Sequence, residues 1–288
     1  MKFGILASGN LGLISLKKCI QLFKIEFIAT DSNSKEIIDF AAENNIILYR
    51  GNPRENKLNV FIQEHNIKTD IIFSINYLFL LDRTFLDNHN FCINFHGSLL
   101  PKYRGRTPHI WSIINNEKKT GITAHLIDEN CDTGKIILQH EIIIEEKMTG
   151  AIILERYFKI YPEMISSVFE KIMSNSLIFI PQDETKASYF GKRTPEDGQI
   201  NWNWQKERIY NWVRAQASPY PGAFTFVNDS KLIIDEIALT DFGFNDEMEN
   251  GLVLEVNPNI LIKTPNGVVQ VTKYRSENIK LDKNTILK

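Results

Sequence analysis

Two short polar segments carry the side chains with the clearest chemical use. Residues 92–106 read CINFHGSLLPKYRGR, an apolar run that turns polar at Asn94 and His96. Side chains two positions apart on a strand point to the same face, so the amide and the imidazole should lie together. An amide N–H beside an imidazole suits stabilisation of an oxyanion next to a proton transfer. Asp132 lies in a second polar corner, and we predict that the two corners form one active site.

Each motif also has a plain structural interpretation. An isolated Asn-x-His is commonly a turn amide beside an exposed histidine, and Asp132-Thr-Gly by itself favours a simple β-turn. His96 could bind a metal together with Cys92 or Cys131, but no Cys-x-x-Cys or His-x-x-x-His spacing supports this, and we predict no metal site. His125 lies in an alternating strand pattern and is interpreted as structural.

The segment Ser8-Gly-Asn10-Leu-Gly follows the first apolar run and opens a helical pattern. Glycine there lets the backbone approach a phosphate at a helix N-terminus, although a tight turn needs glycine as well. Asp31 follows the second strand, about 20 residues further on, and resembles the acidic residue that binds an NAD ribose. From these residues alone, a dinucleotide oxidoreductase is an open alternative. A second candidate for binding a diphosphate, equally interpretable as a solvated basic loop, comprises Lys102, Tyr103, Arg104 and Arg106.

Strands that alternate with helices are predicted to position these residues. Buried apolar runs separated by helical patterns of about 10 to 15 residues indicate βαβ units and a Rossmann-like, mainly parallel sheet. The runs at 121–127 and 135–144 flank Asp132 without a long connection, so we predict an antiparallel addition to that sheet. Pro162 should kink or divide the helix predicted from residue 149 to about residue 174.

The C-terminal part has a different pattern. An aromatic-rich helix is followed by five short β-like runs, which predict a small barrel resembling an OB-fold. We therefore predict an α/β fold with a catalytic domain at 1–185, a linker at 186–204 and an OB-like domain at 205–288. Trp202 and Trp204 are interpreted as core or interface residues.

Composition and charge argue against several classes of protein. The 288 residues carry a formal net charge of −2, which disfavours general affinity for nucleic acid or anionic membrane. No apolar run reaches the about 18 residues of a membrane span, and the apolar start is too short for a signal peptide. Three cysteines without framework spacing suit a reducing compartment. We expect a cytoplasmic protein that binds neither nucleic acid nor membrane.

A long ordered set of motifs resembles one known family. The segments are NFHGSLLPKYRG at 94–105, TGIT at 120–123 and DTG at 132–134, then RTPEDG at 193–198 and further matches within 200–224. Together they closely resemble the formyltransferases that use 10-formyltetrahydrofolate. Such an ordered set is far more specific than any single piece, and the dinucleotide interpretation loses its appeal beside it.

The resemblance implies a catalytic trio that falls on Asn94, His96 and Asp132, with N10-formyltetrahydrofolate as co-substrate. It also implies a folate pocket built by the loops at 74–81 and 127–132, in which an aromatic run would form a wall against the pterin. The residues predicted to contact the folate are Ser74, Tyr77, Leu78, Phe79 and Asp128.

The amine that accepts the formyl group is predicted less directly. The resemblance is greatest to sugar N-formyltransferases acting on dTDP- or UDP-linked amino sugars for O-antigen or lipid A, with dTDP-4-amino-4,6-dideoxyglucose as first choice. Methionyl-tRNA formyltransferase, formyltetrahydrofolate hydrolase and a nucleic-acid-binding barrel are alternatives, and a homodimer is expected by analogy. The residues predicted to bind the sugar nucleotide are Ser8, Asn10, Lys102, Tyr103, Arg104 and Arg106.

Overall fold

The chain forms two compact units in a computed structural model that describes residues 1–275 and 280–288. The first unit comprises 1–105, 120–142 and 155–190, and the second comprises 106–119, 143–154 and 191–288. The linear boundaries expected at residues 185 and 204 remain a prediction, because each compact unit gathers several separate stretches of chain.

Nine strands and five helices lie wholly or mostly in the first unit. The strands are β1 Phe3–Ala7, β2 Ile25–Thr30, β3 Ile47–Arg50, β4 Ile71–Ile75, β5 Phe91–His96, β6 Arg104–Gly105, β7 Lys119–Leu126, β8 Ile136–Ile143 and β9 Tyr189–Phe190. The helices are α1 Gly9–Leu22, α2 Lys35–Glu43, α3 Lys57–Glu64, α4 Arg83–Leu86 and α6 Gly150–Met173.

Seven of these strands form one sheet in the order β3-β2-β1-β4-β5-β7-β8. Strands β1 to β5 pair in parallel, and β7 pairs antiparallel with β5. The parallel strands β1 and β4 are buried along their whole length, as expected where helices cover both faces of a sheet. The mainly parallel sheet and its antiparallel addition are both confirmed.

Helix α6 differs from its prediction in one respect. Pro162 lies inside the helix, which nevertheless runs unbroken from Gly150 to Met173. The helix is therefore not divided at Pro162, although the proline removes one backbone donor. Tyr157 and Tyr161 on this helix are both buried, and their hydroxyls donate to backbone carbonyls around the end of β5.

The second unit contains two helices and five strands. The helices are α5 Pro108–Ile114 and α7 Lys206–Ala215, and the strands are β10 Ala223–Val227, β11 Ser230–Thr240, β12 Val253–Glu255, β13 Ile260–Thr264 and β14 Gly267–Arg275. These strands form a curled antiparallel sheet in the order β10-β11-β14-β13-β12. Backbone hydrogen bonds from Phe226 to Lys288, and from Val253 to residues 284–285, join the last described segment to β10 and β12. These bonds extend the curled sheet toward closure, and the predicted small barrel is confirmed as a fold class.

A helix that spans a bilayer needs about 20 consecutive, mostly apolar residues. Within 1–275 and 280–288, no helix is both long and apolar enough to cross a membrane.

Candidate active site

Strands β5 and β7 bring two imidazoles and an amide to one place. Their antiparallel register pairs Asn94 with His125 and His96 with Thr123. The Asn94 side-chain nitrogen lies 3.2 Å from Nε2 of His125. Because side chains alternate along a strand, this register puts Asn94 and His96 on one face, as predicted.

Asp132 completes the cluster from the loop between β7 and β8. One of its carboxylate oxygens lies 3.5 Å from Nδ1 of His96, and the other lies 3.5 Å from Nε2 of His125. The second oxygen is also 3.4 Å from the Asn94 side-chain nitrogen. The carboxylate is therefore between two imidazoles, and its side chain is only 12% exposed.

The hydrogen bonds of the two histidines define which nitrogens carry hydrogen. Nε2 of His96 is 2.8 Å from the carbonyl oxygen of Tyr103, and Nδ1 of His125 is 2.7 Å from that of Leu126. A carbonyl only accepts, so each of these nitrogens donates. The remaining nitrogens, Nδ1 of His96 and Nε2 of His125, both face Asp132. Those are the positions at which a proton can be gained or lost beside the carboxylate.

The electrostatic balance at Asp132 favours the charged form. Burial raises the pKa of this carboxyl, but the charge of His96, the hydrogen bond and charge of His125, and the backbone N–H of Gly105 lower it more. That N–H donates to the carboxylate at 2.8 Å. The net result is a pKa well below the ordinary aspartate value, so Asp132 remains a carboxylate across the neutral range.

The turn after β5 is held by neighbouring side chains. The Thr123 hydroxyl donates to the Ser98 carbonyl at 2.6 Å and accepts from the Leu100 backbone N–H at 3.1 Å. The Tyr157 hydroxyl donates to the Gly97 carbonyl at 2.6 Å. A Cβ at Gly97 would lie 2.8 Å from the Tyr157 ring, so glycine is required for this approach. The strand end that carries His96 is thus rigidly supported.

The residues predicted for the folate lie on two loops of the first unit. Ser74 is buried near the end of β4, and the rings of Tyr77 and Phe79 meet edge to face with 5.4 Å between their centroids. Tyr77 also packs against the core cluster of the unit, whereas Leu78 is exposed. Asp128 accepts from the Thr133 hydroxyl at 2.5 Å, a contact within its own loop. Their folate contacts remain a prediction.

The corner at the start of α1 is a second polar cluster. The Gly9 N–H donates to the Ser34 hydroxyl at 2.9 Å, and that hydroxyl donates to Asp31 at 2.6 Å. The Ser8 hydroxyl is buried and has no hydrogen-bond partner among the described residues, and Asn10 is exposed. Each carboxylate oxygen of Asp31 therefore already accepts one hydrogen bond from its own turn.

The basic segment separates into residues with different surroundings. Arg104 is fully buried, and its guanidinium bonds Glu184 at 2.6 and 2.8 Å. The Tyr103 ring is stacked on Phe190 with 4.9 Å between centroids. These contacts favour structural roles for Arg104 and the Tyr103 ring. Lys102 and Arg106 are exposed, and their binding to a diphosphate remains a prediction.

One member of the cluster was missed from the sequence. His125 was interpreted as structural, yet its Nε2 lies within reach of both Asn94 and Asp132. The available signal was the two-residue spacing of Thr123 and His125, which puts both side chains on one face of β7. Pairing of β7 with β5 places that face on the same side of the sheet as Asn94 and His96. Among residues 1–275 and 280–288, no group of three or more His, Cys, Asp or Glu side chains is arranged to hold a metal.

The chemistry of these groups fits a formyl donor. A carbonyl carbon under attack needs an N–H donor for its oxygen, which the half-buried Asn94 amide supplies. The attacking amine must lose a proton, and the imidazole–carboxylate pair of His96 and Asp132 can take it.

Comparisons with known proteins agree with this chemistry. The family model described as "Formyl transferase" matches residues 28–169, and "Formyl transferase, C-terminal domain" matches residues 192–284. Methionyl-tRNA formyltransferase of Ruminiclostridium cellulolyticum is 33% identical over 245 residues, which cover 84% of this chain and 78% of that protein. The bifunctional polymyxin resistance protein ArnA of Wigglesworthia glossinidia brevipalpis is 34% identical over 270 residues, 91% of this chain, and the match spans only 41% of that protein.

A solved structure has the same architecture over nearly its whole length. WlaRD, described as a sugar 3N-formyl transferase in the presence of dTDP and 5-N-formyl-THF, superposes with a TM-score of 0.71. The match covers 97% of this chain and 99% of that chain at 23% identity, so it supports the fold. With both family models matched and a relative 33% identical across most of both proteins, this chain belongs to the formyl transferase family.

Proposed function

We propose that the protein is an N-formyltransferase that moves the formyl group of N10-formyltetrahydrofolate onto the amine of a nucleotide-linked amino sugar. Family membership supplies the reaction class and the folate co-substrate. The observation that carries the site assignment is the Asp132 carboxylate placed 3.5 Å from His96 and 3.4 Å from the Asn94 amide. The first acceptor to test is dTDP-4-amino-4,6-dideoxyglucose, and the proposed pathway is the synthesis of a surface polysaccharide.

The proposed mechanism assigns one task to each member of the trio. The Asn94 amide donates to the oxygen of the formyl group as negative charge develops there. The amine proton passes to Nδ1 of His96, since Nε2 is held by the Tyr103 carbonyl. Asp132 then faces the imidazolium with a full negative charge, which its lowered pKa maintains. As the amine nitrogen bonds to the formyl carbon, the bond from that carbon to N10 of the folate breaks, and His96 returns the proton to N10, so that tetrahydrofolate leaves and both His96 and Asp132 are restored.

Positioning contributes alongside proton transfer. Holding an amine against a formyl carbon in the correct orientation can lower the barrier by about 7 to 11 kcal/mol at best. The Thr123 and Tyr157 hydroxyls that hold the turn after β5 keep His96 from moving away from Asp132. We therefore assign the rigidity of this strand end to catalysis as well as to stability.

The sugar nucleotide is favoured over tRNA on electrostatic grounds. A tRNA-binding enzyme neutralises several phosphates with lysine and arginine, whereas this chain has a net charge of −2. The name of WlaRD, which this chain resembles over 97% of its length, supports a sugar acceptor. We further propose that Ser8, Asn10 and the exposed Lys102 contact the nucleotide diphosphate, with Arg106 as an additional candidate.

Methionyl-tRNA formyltransferase is the second candidate function. It is favoured by one observation, the 33% identity to the Ruminiclostridium cellulolyticum enzyme of that name. Hydrolysis of formyltetrahydrofolate, in which water replaces the amine, is a third outcome that the same trio could support.

One assay separates these functions. The purified protein would be incubated with 10-formyltetrahydrofolate and, in parallel, dTDP- and UDP-linked 3-amino and 4-amino sugars, initiator methionyl-tRNA, or buffer alone. We expect a formylated dTDP-sugar, detected as a mass increase, with no faster release of tetrahydrofolate in buffer. Formylation of the tRNA with no turnover of any sugar would replace the proposal by the second function. Turnover in buffer alone would indicate the hydrolase.

A further inference from the structure

Gln182 lies outside the segments that resemble the family motifs, yet its side chain contacts the loop that carries Asp132. Its amide nitrogen donates to the carbonyl oxygen of Asp132 at 2.8 Å and to that of Gly134 at 2.7 Å. A carboxamide nitrogen has two hydrogens, and these two bonds use both of them. The loop is therefore held through its backbone by one side chain 50 residues further along the chain.

The other end of the Gln182 amide is fixed as well. Its oxygen accepts from two nitrogens of the Arg104 guanidinium, at 2.8 and 3.2 Å. Because a guanidinium only donates, this contact specifies that the oxygen faces Arg104 and the nitrogen faces the loop. Glu184 accepts two further guanidinium hydrogens in a two-point contact, and the Tyr189 hydroxyl accepts the fifth. The flipped orientation of the Gln182 amide is therefore excluded, because its nitrogen would face the donors of Arg104 and its oxygen would face two carbonyls.

Arg104 connects this arrangement to the carboxylate itself. The next residue, Gly105, donates its N–H to the Asp132 carboxylate at 2.8 Å. Gly105 has φ +99°, and a Cβ there would collide with the backbone of Phe190, so only glycine fits. The two-residue strand β6 thus fixes the Asp132 side chain directly, and fixes its backbone through Gln182.

The Asp132 loop needs this support. Asp132 has φ +58°, in the left-handed region that L-residues adopt only at a conformational cost. A Cβ at Gly134 would collide with the carbonyl of Leu126, so the loop also passes very close to β7. Such a conformation persists only where the surroundings over-determine it. The two bonds from Gln182 lie on either side of this turn.

We propose that Gln182 is a positioning residue for formyl transfer, which holds Asp132 in its left-handed turn so that the carboxylate faces His96 and His125. The inference rests on the proposed role of Asp132. Gln182 acts through the backbone of the loop and needs no contact with folate or acceptor. Its loss should therefore affect turnover more than substrate binding.

The test compares Gln182→Ala and Gln182→Glu with the matched control Gln63→Glu, which makes the same chemical change at an exposed position of α3. The glutamate retains the pairing with Arg104 but presents an oxygen to the two carbonyls. We expect kcat to fall about tenfold to hundredfold in both Gln182 variants, since small misplacements of a catalytic group have effects of this size. The KM for each substrate should stay within about twofold, and Gln63→Glu should leave all constants unchanged.

A double-mutant cycle separates positioning from general damage. In an Asp132→Asn background, adding Gln182→Ala should lower the residual kcat by less than about twofold, because the group that Gln182 positions is already disabled. An equal further loss in that background would overturn the inference, and so would a kcat within about twofold of the parent in both Gln182 variants. Far-UV circular dichroism checks folding, and if Gln182→Ala does not fold, the cycle is completed with Gln182→Glu.

The same cycle distinguishes failure of this inference from failure of the proposed mechanism. If Asp132→Asn alone retains full turnover, the role of Asp132 is wrong. If Asp132→Asn is impaired while Gln182→Ala is normal or additive, only the role of Gln182 is wrong.

Discussion

Two aspartates in the first unit, Asp31 and Asp132, look alike until their partners are compared. Each follows a strand of the same sheet, each is largely buried, and each has a pKa below the ordinary value although burial alone would raise it. Asp31 accepts from the N–H of Asn33 and the hydroxyl of Ser34, two and three residues away. Asp132 accepts from Gly105, 27 residues away, and faces two imidazoles.

The difference lies in what the partners can do. The donors around Asp31 are a backbone amide and a hydroxyl, which do not titrate, so the carboxylate stabilises a turn and the start of α1. The partners of Asp132 include two groups that can gain a proton beside it. A low aspartate pKa therefore does not identify a catalytic residue, whereas imidazole partners brought from distant parts of the chain favour a role in proton transfer.

The largest expected effect tests this contrast directly. Asp132→Asn removes the charge beside both imidazoles and should lower kcat by about 10²-fold or more. Asp31→Asn makes the same chemical change where no proton moves, and its kcat should stay within about threefold of the parent. Steady-state formylation of the dTDP-sugar measures both. Normal turnover in purified Asp132→Asn, or equal losses in the two variants, would break the comparison.

The contrast extends to basic side chains. Arg104 is buried and donates to Gln182 and Glu184, so Arg104→Ala removes these hydrogen bonds, leaves the half-buried Gln182 oxygen without its donors and should lower the free energy of unfolding by about 2 kcal/mol. Lys102 is exposed, and Lys102→Ala should change stability by less than about 0.5 kcal/mol while raising the KM for the sugar nucleotide. Urea unfolding and initial rates check the pair. An unchanged KM in Lys102→Ala would remove that residue from the acceptor site.

A smaller effect is expected at His125. Its Nε2 faces Asp132 from the side opposite His96, so it supports the carboxylate without replacing His96 as the proton acceptor. His125→Gln should lower kcat about tenfold, an amount consistent with removal of one supporting polar group. His140→Gln, at an exposed position within β8, is the matched control. A loss of about 10²-fold or more, as large as that expected for Asp132→Asn, would contradict a merely supporting role for His125.

The smallest effect concerns the stability supplied by Asp31. Burial raises its pKa, but hydrogen bonds from the Ser34 hydroxyl and the Asn33 N–H lower it, so the charged form is favoured in the fold. A lowered folded-state pKa adds stability above the unfolded value of about 3.9, and this stability is lost as pH falls through the folded value. Asp31→Asn should therefore cost about 1 kcal/mol at pH 7, with the difference shrinking in acid. Thermal melts at pH 7 and below pH 4 measure it, and a constant difference would contradict the assignment.

The sequence predicted the sheet, the barrel and the family because these depend on patterns that lie within single segments. Alternation of apolar runs and helices indicated a mainly parallel sheet, and the ordered motifs from Asn94 to Asp132 resembled one family. The assignments of Asn94, His96 and Asp132 to catalysis remain predictions supported by their geometry. Arg104 shows what a local pattern does not record. Its basic segment gave no indication that the guanidinium is buried and donates to Glu184 and Gln182.

By itself, the sequence determined that Asn94 and His96 share a strand face, because the two-residue repeat of a strand is a local property. It equally determined that an acidic turn ending in Asp132-Thr-Gly134 follows β7. Only the tertiary structure decided which groups surround the carboxylate of Asp132. Those groups are His125, Gly105 and Gln182, and they come from separate stretches of chain that meet only when β5, β6 and β7 are in place. Distances between such stretches depend on packing across the unit, which no local pattern records.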